Sequence, residues 1–251
     1  VAAVWGLPVL FVVENNQWGL STPSSEQFNF DTFTLKGPSY GMEAHQVDGN
    51  NILEVFHTMR ELAQSQEKNP RPVIVEMMTF RMHGHEEASG TKYYPEGLKE
   101  DWKPKDPILT YESYLLEQGL LTQDEIDQFK KDNKQRINDA WKIAEAEPNI
   151  SFSEEKELAD VYAPYSENIT NPSSSTKELR LIDAVSEGLD LAMSTHDSLV
   201  LMGQDISEYG GVFKATEGFK AKYGEERVRN TPLCESAILG AAIGLSVKGR
   251  K

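Results

Sequence analysis

Short apolar runs and helical stripes alternate along the first part of the chain. Residues 8–14 form a run rich in Val and Phe that stops at the polar pair Asn15-Asn16, the pattern of a fully buried strand. Ile52, Val55, Phe56, Met59 and Leu62 recur at helical spacing over 52–66, and residues 48–51 offer capping side chains ahead of them. Residues 72–80 repeat the buried-strand pattern. Strand, helix and strand in this order predict a parallel α/β sheet flanked by helices. Ligands bind such sheets beyond the strand carboxyl ends, here the polar, glycine-containing loops 15–21 and 81–90.

Farther along, 107–147 is helical in pattern. Tyr111, Tyr114 and Leu115, then Ile126, Phe129, Ile137, Ala140 and Trp141, mark apolar faces of a peripheral cap that Pro148 closes. Periodicity is poor over 149–176, and Asn171-Pro172-Ser173-Ser174-Ser175 reads as linker. Helices over 177–193, 213–223 and 236–247, with a short strand over 198–203, predict a second α/β unit. The expected division is therefore a first domain over 1–163, a linker over 164–176 and a second domain over 177–251. The chain opens on Val1 within an apolar segment and stops just after a helical pattern, so it reads as the central stretch of a longer protein with its second domain truncated.

Composition narrows the function classes. With 40 acidic against 25 basic residues the formal charge is -15, which opposes binding to nucleic acid or an anionic membrane. The longest apolar stretch, residues 7–13, is far below the ~20 residues of a membrane-spanning helix. No Lys or Arg precedes it, so no secretory signal is expected. The single cysteine, Cys234, can form no internal disulfide, which fits a reducing compartment, and a cytoplasmic location of bacterial type is the expectation. The Asn-x-Ser/Thr matches at Asn149 and Asn168 are then chance.

Three stretches carry candidate chemistry. Taken alone, Glu14-Asn15-Asn16-Gln17-Trp18-Gly19 is a polar turn after a strand. Arg81-Met82-His83-Gly84-His85 follows the second strand; its two histidines could chelate a transition metal, but no Cys or third His lies nearby in sequence, and a plain surface loop is the alternative. In the second domain, Gly203-Gln204-Asp205-Ile206 precedes Gly210-Gly211-Val212-Phe213, and Asn230-Thr231-Pro232-Leu233-Cys234-Glu235 precedes a helix. On pattern alone Glu235 is an acid complementing a helix dipole. Cys234, a lone thiol beside a carboxylate, is assigned to packing.

The stretch ENNQWGLSTPSSEQ (residues 14–27) resembles the alpha subunit of thiamine-diphosphate-dependent branched-chain 2-oxo acid dehydrogenases, and TFRMHGH (79–85) resembles the loop that closes over their cofactor. The order GQDI, GGVFKAT, KYG, RV and NTPLCE is similar to the start of the beta subunit of the same enzymes. The resemblance implies a thiamine-diphosphate-binding fold and two subunits fused in one chain. It implies Mg²⁺ held by the Asn16 side-chain oxygen and the Trp18 backbone carbonyl, where the family usually has tyrosine at the position of Trp18. The upstream metal-binding Asp and the downstream catalytic His lie outside these residues.

Arg81 and His85 fall on the family's cofactor-loop Arg and final His, whereas His83 is a less secure match. His85 would stabilise the diphosphate or developing charge, and Leu233 would join the cofactor pocket. Glu235 would hydrogen-bond N1′ of the aminopyrimidine and favour its imino tautomer. Glu86 stands where animal enzymes carry a regulatory Ser, so no kinase switch is expected there, with Ser89 as the residue that would revive one.

The implied activity is oxidative decarboxylation of a 2-oxo acid with acyl transfer to a lipoyl domain of a transacylase core, by a homo-oligomer. Ser21-Thr22-Pro23, Gly211-Val212-Phe213 and Pro232-Leu233-Cys234 resemble the branched-chain enzymes more than the pyruvate ones, which implies 2-oxoisovalerate-type substrates. A rival of another class is a non-catalytic assembly module.

Overall fold

Three parallel strands organise the larger of two compact units, residues 6–168: β1 (Leu10–Asn15), β4 (Glu43–Asp48) and β5 (Val73–Met78), in the order β1-β5-β4. Two short strands, β2 (Trp18–Gly19) and β3 (Thr22–Pro23), form an antiparallel hairpin just after β1. The structure, a computed structural model, describes every residue of the chain except 87, 89, 163, 165, 167, 168, 170 and 172–174. Ser89, both ends of the Asn168-Ile169-Thr170 match and much of the expected linker therefore lie outside the described residues.

In the centre of the sheet β5 is buried on both faces, as its unbroken Val-Ile-Val run requires. β1 departs from the expectation of a fully buried strand. It is hydrogen-bonded only to β5, and Phe11 and Val12 are each 43% exposed, because among the described residues nothing pairs with its other edge. β4 is a strand that no apolar run announces: Glu-Ala-His-Gln-Val-Asp buries only Val47 and is held by its ladder to β5.

The helix Ile52–Lys68 starts where its cap predicts. Asn51 Oδ1 accepts from the backbone N–H groups of Leu53 (3.2 Å) and Glu54 (3.3 Å), satisfying donors that have no partner inside the helix. One face then packs Leu62, Val55 and Met59 onto Val47, Val73 and Val75. Each fully buried aliphatic side chain of this kind stabilises by about 1.5–3 kcal/mol. The helices Pro107–Glu117 and Gln123–Ala146 follow within the expected helical stretch. Glu154–Val161 forms a further helix, capped by Ser153, inside a segment whose periodicity gave no sign of one.

The second unit comprises residues 1–5 and 169–251. Its helix Leu181–Thr195 begins four residues later than 177, and its parallel strands are β6 (Leu201–Gly203) and β7 (Val228–Asn230). Met193, Phe219 and Val228 form its core, and Arg227 donates to the carbonyls of Met193 and His196 (both 2.7 Å), closing the helix end. The expected helix over 213–223 is confined to Phe219–Tyr223. Gly210 and Gly211, at φ +80° and +77°, fold 205–218 into a loop in which the Gly211 N–H donates to Asp205 O and Thr216 Oγ1 to Ile206 O. A Cβ on Gly210 would sit 2.6 Å from Glu217 Cα, so only glycine fits there. Glu235–Val247 is the small-residue helix.

Candidate functional site

At the carboxyl end of β1 the chain makes a tight turn built from its own side chains. Asn15 Oδ1 accepts from the Gln17 N–H (3.0 Å), and Asn16 Oδ1 accepts from the Trp18 N–H (2.9 Å). Gln17 is held at φ +66°, a left-handed conformation that costs a non-glycine residue on the order of 1 kcal/mol. The Asn15 bond and the Ser24 N–H donating to Gln17 O (2.8 Å) keep it there.

Two oxygens of this turn are suited to a hard cation. The Asn16 side-chain carbonyl has a second lone pair beyond the one facing Trp18 N. Trp18 and Pro23 are a non-hydrogen-bonded pair of the hairpin, bracketed by the Ser24 N–H donating to Gln17 O, so the Trp18 carbonyl points out of the ladder. Carbonyl oxygens of this type are ligands for Mg²⁺, which completes its shell with water and phosphate oxygen. Among the described residues no cluster of three or more His, Cys, Asp or Glu could hold a metal, so His83 and His85 gain no third ligand of that kind.

The loop after β5 is pinned against the turn. Arg81 Nη2 donates to Leu20 O (2.5 Å) and to Tyr93 Oη (2.9 Å), and Nη1 lies 3.4 Å from His85 Nδ1. Tyr94 Oη donates to Arg81 O (2.9 Å); burial pushes this phenol above its usual range and keeps it a neutral donor. The Trp18 ring packs edge-on against Tyr94 (4.9 Å between centroids) and tilted against Tyr93 (5.7 Å). Asn16, Trp18, Arg81 and His85 thus share one unit, with Trp18 and Arg81 joined through the same two tyrosines. His85 and His83 are exposed. A cleft of about 640 Å³ opens beside the turn, lined by Asn15, Gln17, Trp18, Asn29, Asp31 and Met78 among others.

Beneath this turn lies a group that the motif-based reading passed over. Glu76, in the middle of β5, has no exposed surface, and its carboxylate accepts from Asn15 Nδ2 (2.7 Å), Gln46 Nε2 (3.1 Å), the Phe33 N–H (3.2 Å) and, at very short range, Thr32 Oγ1. Burial opposes its ionisation, but the donors, Thr32 and Asn15 foremost, outweigh it and hold the carboxyl below the usual carboxylate range. The signal was available: a single acid inside a run of buried apolar residues must be paired.

Leu233 and Glu235 belong to the other unit. Leu233 is 81% exposed, and Glu235 opens the helix Glu235–Val247, its Oε1 accepting from Gln204 Nε2 (3.1 Å). Its own backbone N–H and the Gln204 amide hold its carboxyl below the usual range, making it an acceptor at neutral pH. Cys234 Sγ donates to Pro232 O (3.2 Å).

Comparison with known families shows which one this chain belongs to. Residues 1–153 match the family described as the dehydrogenase E1 component. The chain belongs to that family. Its members are thiamine-diphosphate-dependent 2-oxo acid dehydrogenases, and residues 177–251 match a second description, the transketolase pyrimidine binding domain. The α/β class expected from the strand and helix pattern agrees with both. Among curated relatives, the mitochondrial 2-oxoisovalerate dehydrogenase subunit alpha 2 of Arabidopsis thaliana is 33% identical over 170 residues, 64% of this chain and 34% of that protein. The corresponding alpha subunit of Caenorhabditis elegans is 34% identical over 164 residues, 64% of this chain and 37% of that protein. The pyruvate dehydrogenase E1 component subunit alpha of Rickettsia felis is 28% identical over 148 residues, 59% of this chain and 45% of that protein. This chain thus spans between 34% and 45% of the length of these relatives.

Proposed function

We propose that this chain supplies both cofactor-binding halves of a 2-oxo acid dehydrogenase, fused in tandem, that decarboxylates a branched-chain 2-oxo acid of the 2-oxoisovalerate type and passes the acyl group to a lipoyl domain of a transacylase core. The domains are residues 1–163 and 177–251 with a linker between them, and the working form is a homo-oligomer. The observation that carries the reading is the turn after β1, whose Asn16 Oδ1 and Trp18 carbonyl offer two oxygens to Mg²⁺. Thiamine diphosphate, when bound, supplies the electron sink for decarboxylation.

The protein's own residues bind, orient and polarise. Asn16 and Trp18 would hold the metal, whose charge would neutralise the diphosphate. Arg81 secures the loop that carries His85, whose ring N–H would stabilise anionic phosphate oxygen. Leu233 would present an apolar side chain to the pyrimidine ring, and the Glu235 carboxylate would exchange the Gln204 amide for a hydrogen bond from N1′–H, favouring the imino tautomer in which that proton has moved from the 4′-amino group. The branched-chain preference has in its favour an identity of 33% and 34% to two relatives named 2-oxoisovalerate dehydrogenase, against 28% to the pyruvate dehydrogenase of Rickettsia felis.

The test measures carbon dioxide release by the intact protein with Mg²⁺, thiamine diphosphate and either 2-oxoisovalerate or pyruvate, alongside Glu235→Gln. Faster turnover of 2-oxoisovalerate is expected, with a loss of about 10²–10⁴-fold in Glu235→Gln, the range for a positioned acid or base. Faster turnover of pyruvate reverses the substrate assignment, and undiminished turnover in the variant removes the role of Glu235. A folded intact protein that neither turns over nor releases heat on titration with the cofactor and Mg²⁺ is an assembly module instead.

A further inference from the structure

Glu76 sits at a crossing of three segments. On β5 it lies level with Val13 of β1 and Gln46 of β4. Asn15 follows Val13 by two residues and so shares its face of the sheet. The carboxylate reaches sideways to Asn15 and Gln46 on the two neighbouring strands and outward to Thr32 and the Phe33 N–H of the loop between β3 and β4. That loop continues from Asn29 and Asp31, which line the cleft beside the turn.

The bond to Asn15 has a directional consequence. With Nδ2 committed to Glu76, Asn15 Oδ1 can only face the other way, where it accepts from the Gln17 N–H. That bond holds the left-handed Gln17, and Gln17 is the residue between the two candidate metal ligands.

We propose that Glu76 is a positioning residue for the oxygen pair Asn16 Oδ1 and Trp18 O: through Asn15 it fixes the turn that presents both oxygens to a divalent cation and its diphosphate, and through Thr32 and Phe33 it fixes the neighbouring cleft lining. This rests on the assignment of Asn16 and Trp18 as metal ligands. Outer groups that orient metal ligands alter affinity without touching the ion, by about 10–100-fold when removed.

Glu76→Met tests this, because it fills similar space with no acceptor for Asn15 Nδ2, whereas a glutamine oxygen could still serve both Asn15 and Phe33, which share one carboxylate oxygen. The probe is Mn²⁺ titrated into the intact protein with thiamine diphosphate present, free Mn²⁺ being counted by electron paramagnetic resonance and folding by thermal unfolding. Expected is an affinity loss of about tenfold or more in Glu76→Met and in Asn15→Ala. The double variant should bind no more weakly than Asn15→Ala alone, since Glu76 reaches the oxygen pair only through Asn15. Native Mn²⁺ affinity in folded Glu76→Met, or losses that multiply in the double variant, overturns the coupling. If Glu76→Met does not fold, Asn15→Asp decides, because it keeps an oxygen for the Gln17 N–H and loses only the donor to Glu76: a loss upholds the coupling and native affinity overturns it. Asn16→Ala separates the two ideas. Unchanged binding there defeats the metal assignment and the role of Glu76 with it, whereas lost binding there beside native binding in Glu76→Met defeats the role of Glu76 alone.

Discussion

At the residue scale, one buried acid shows how burial and hydrogen bonding compete. Removing Glu76 from water raises the cost of its charge, yet donors on four residues reverse the balance and leave it ionised. Its folded pKa is depressed, so its contribution to stability is complete above the unfolded value of about 4.3 and disappears as pH falls through the lower folded value. Urea midpoints followed downward from about pH 5 should therefore drop less steeply in Glu76→Gln, by up to the equivalent of one proton. Equal slopes would mean that Glu76 is not held as a carboxylate. Asn16, Trp18, Arg81, His85, Leu233 and Glu235 could be named from motifs because each sits in a contiguous string of distinctive residues. Asn15, Thr32 and Gln46 could not, since their role arises from meeting Glu76 across 61, 44 and 30 positions of sequence.

At the scale of elements, local signals served where a local cause operates. The helix Ile52–Lys68 is announced by Asn51 and by its apolar spacing, and both act within a few residues. Asn51→Ala should cost about 1 kcal/mol in urea unfolding while Asn51→Asp stays close to the native value, because aspartate keeps the accepting oxygen. Equal losses in the two would take the cap out of the account. The elements that were not legible have non-local causes. β4 exists because β5 offers it a ladder, and the loop over 205–218 displaces an expected helix because two left-handed glycines turn the chain back on Asp205 and Ile206.

At the scale of the whole molecule, no helix among the described residues is long and apolar enough to cross a membrane. The helix Glu235–Val247 is apolar around its circumference, with Leu239, Ile243 and Val247 each at least 65% exposed. A helix of that composition belongs in an interior. A homo-oligomer that buries this helix would account for it, and Ile243→Glu should then lower the mass of the intact assembly in sedimentation velocity. An unchanged mass would locate the cover of this helix elsewhere than between copies.

The sequence by itself determined the strand-helix-strand alternation, the helix caps and the strings that mark the two candidate cofactor turns, because periodicity, capping and motif spacing are properties of neighbouring residues. Only the tertiary structure decided which strand is central and that a lone acid in that strand ties Asn15, Gln46 and the 32–33 loop together. Those outcomes depend on strand order and register, which bring together residues far apart in the chain through contacts that no local pattern encodes.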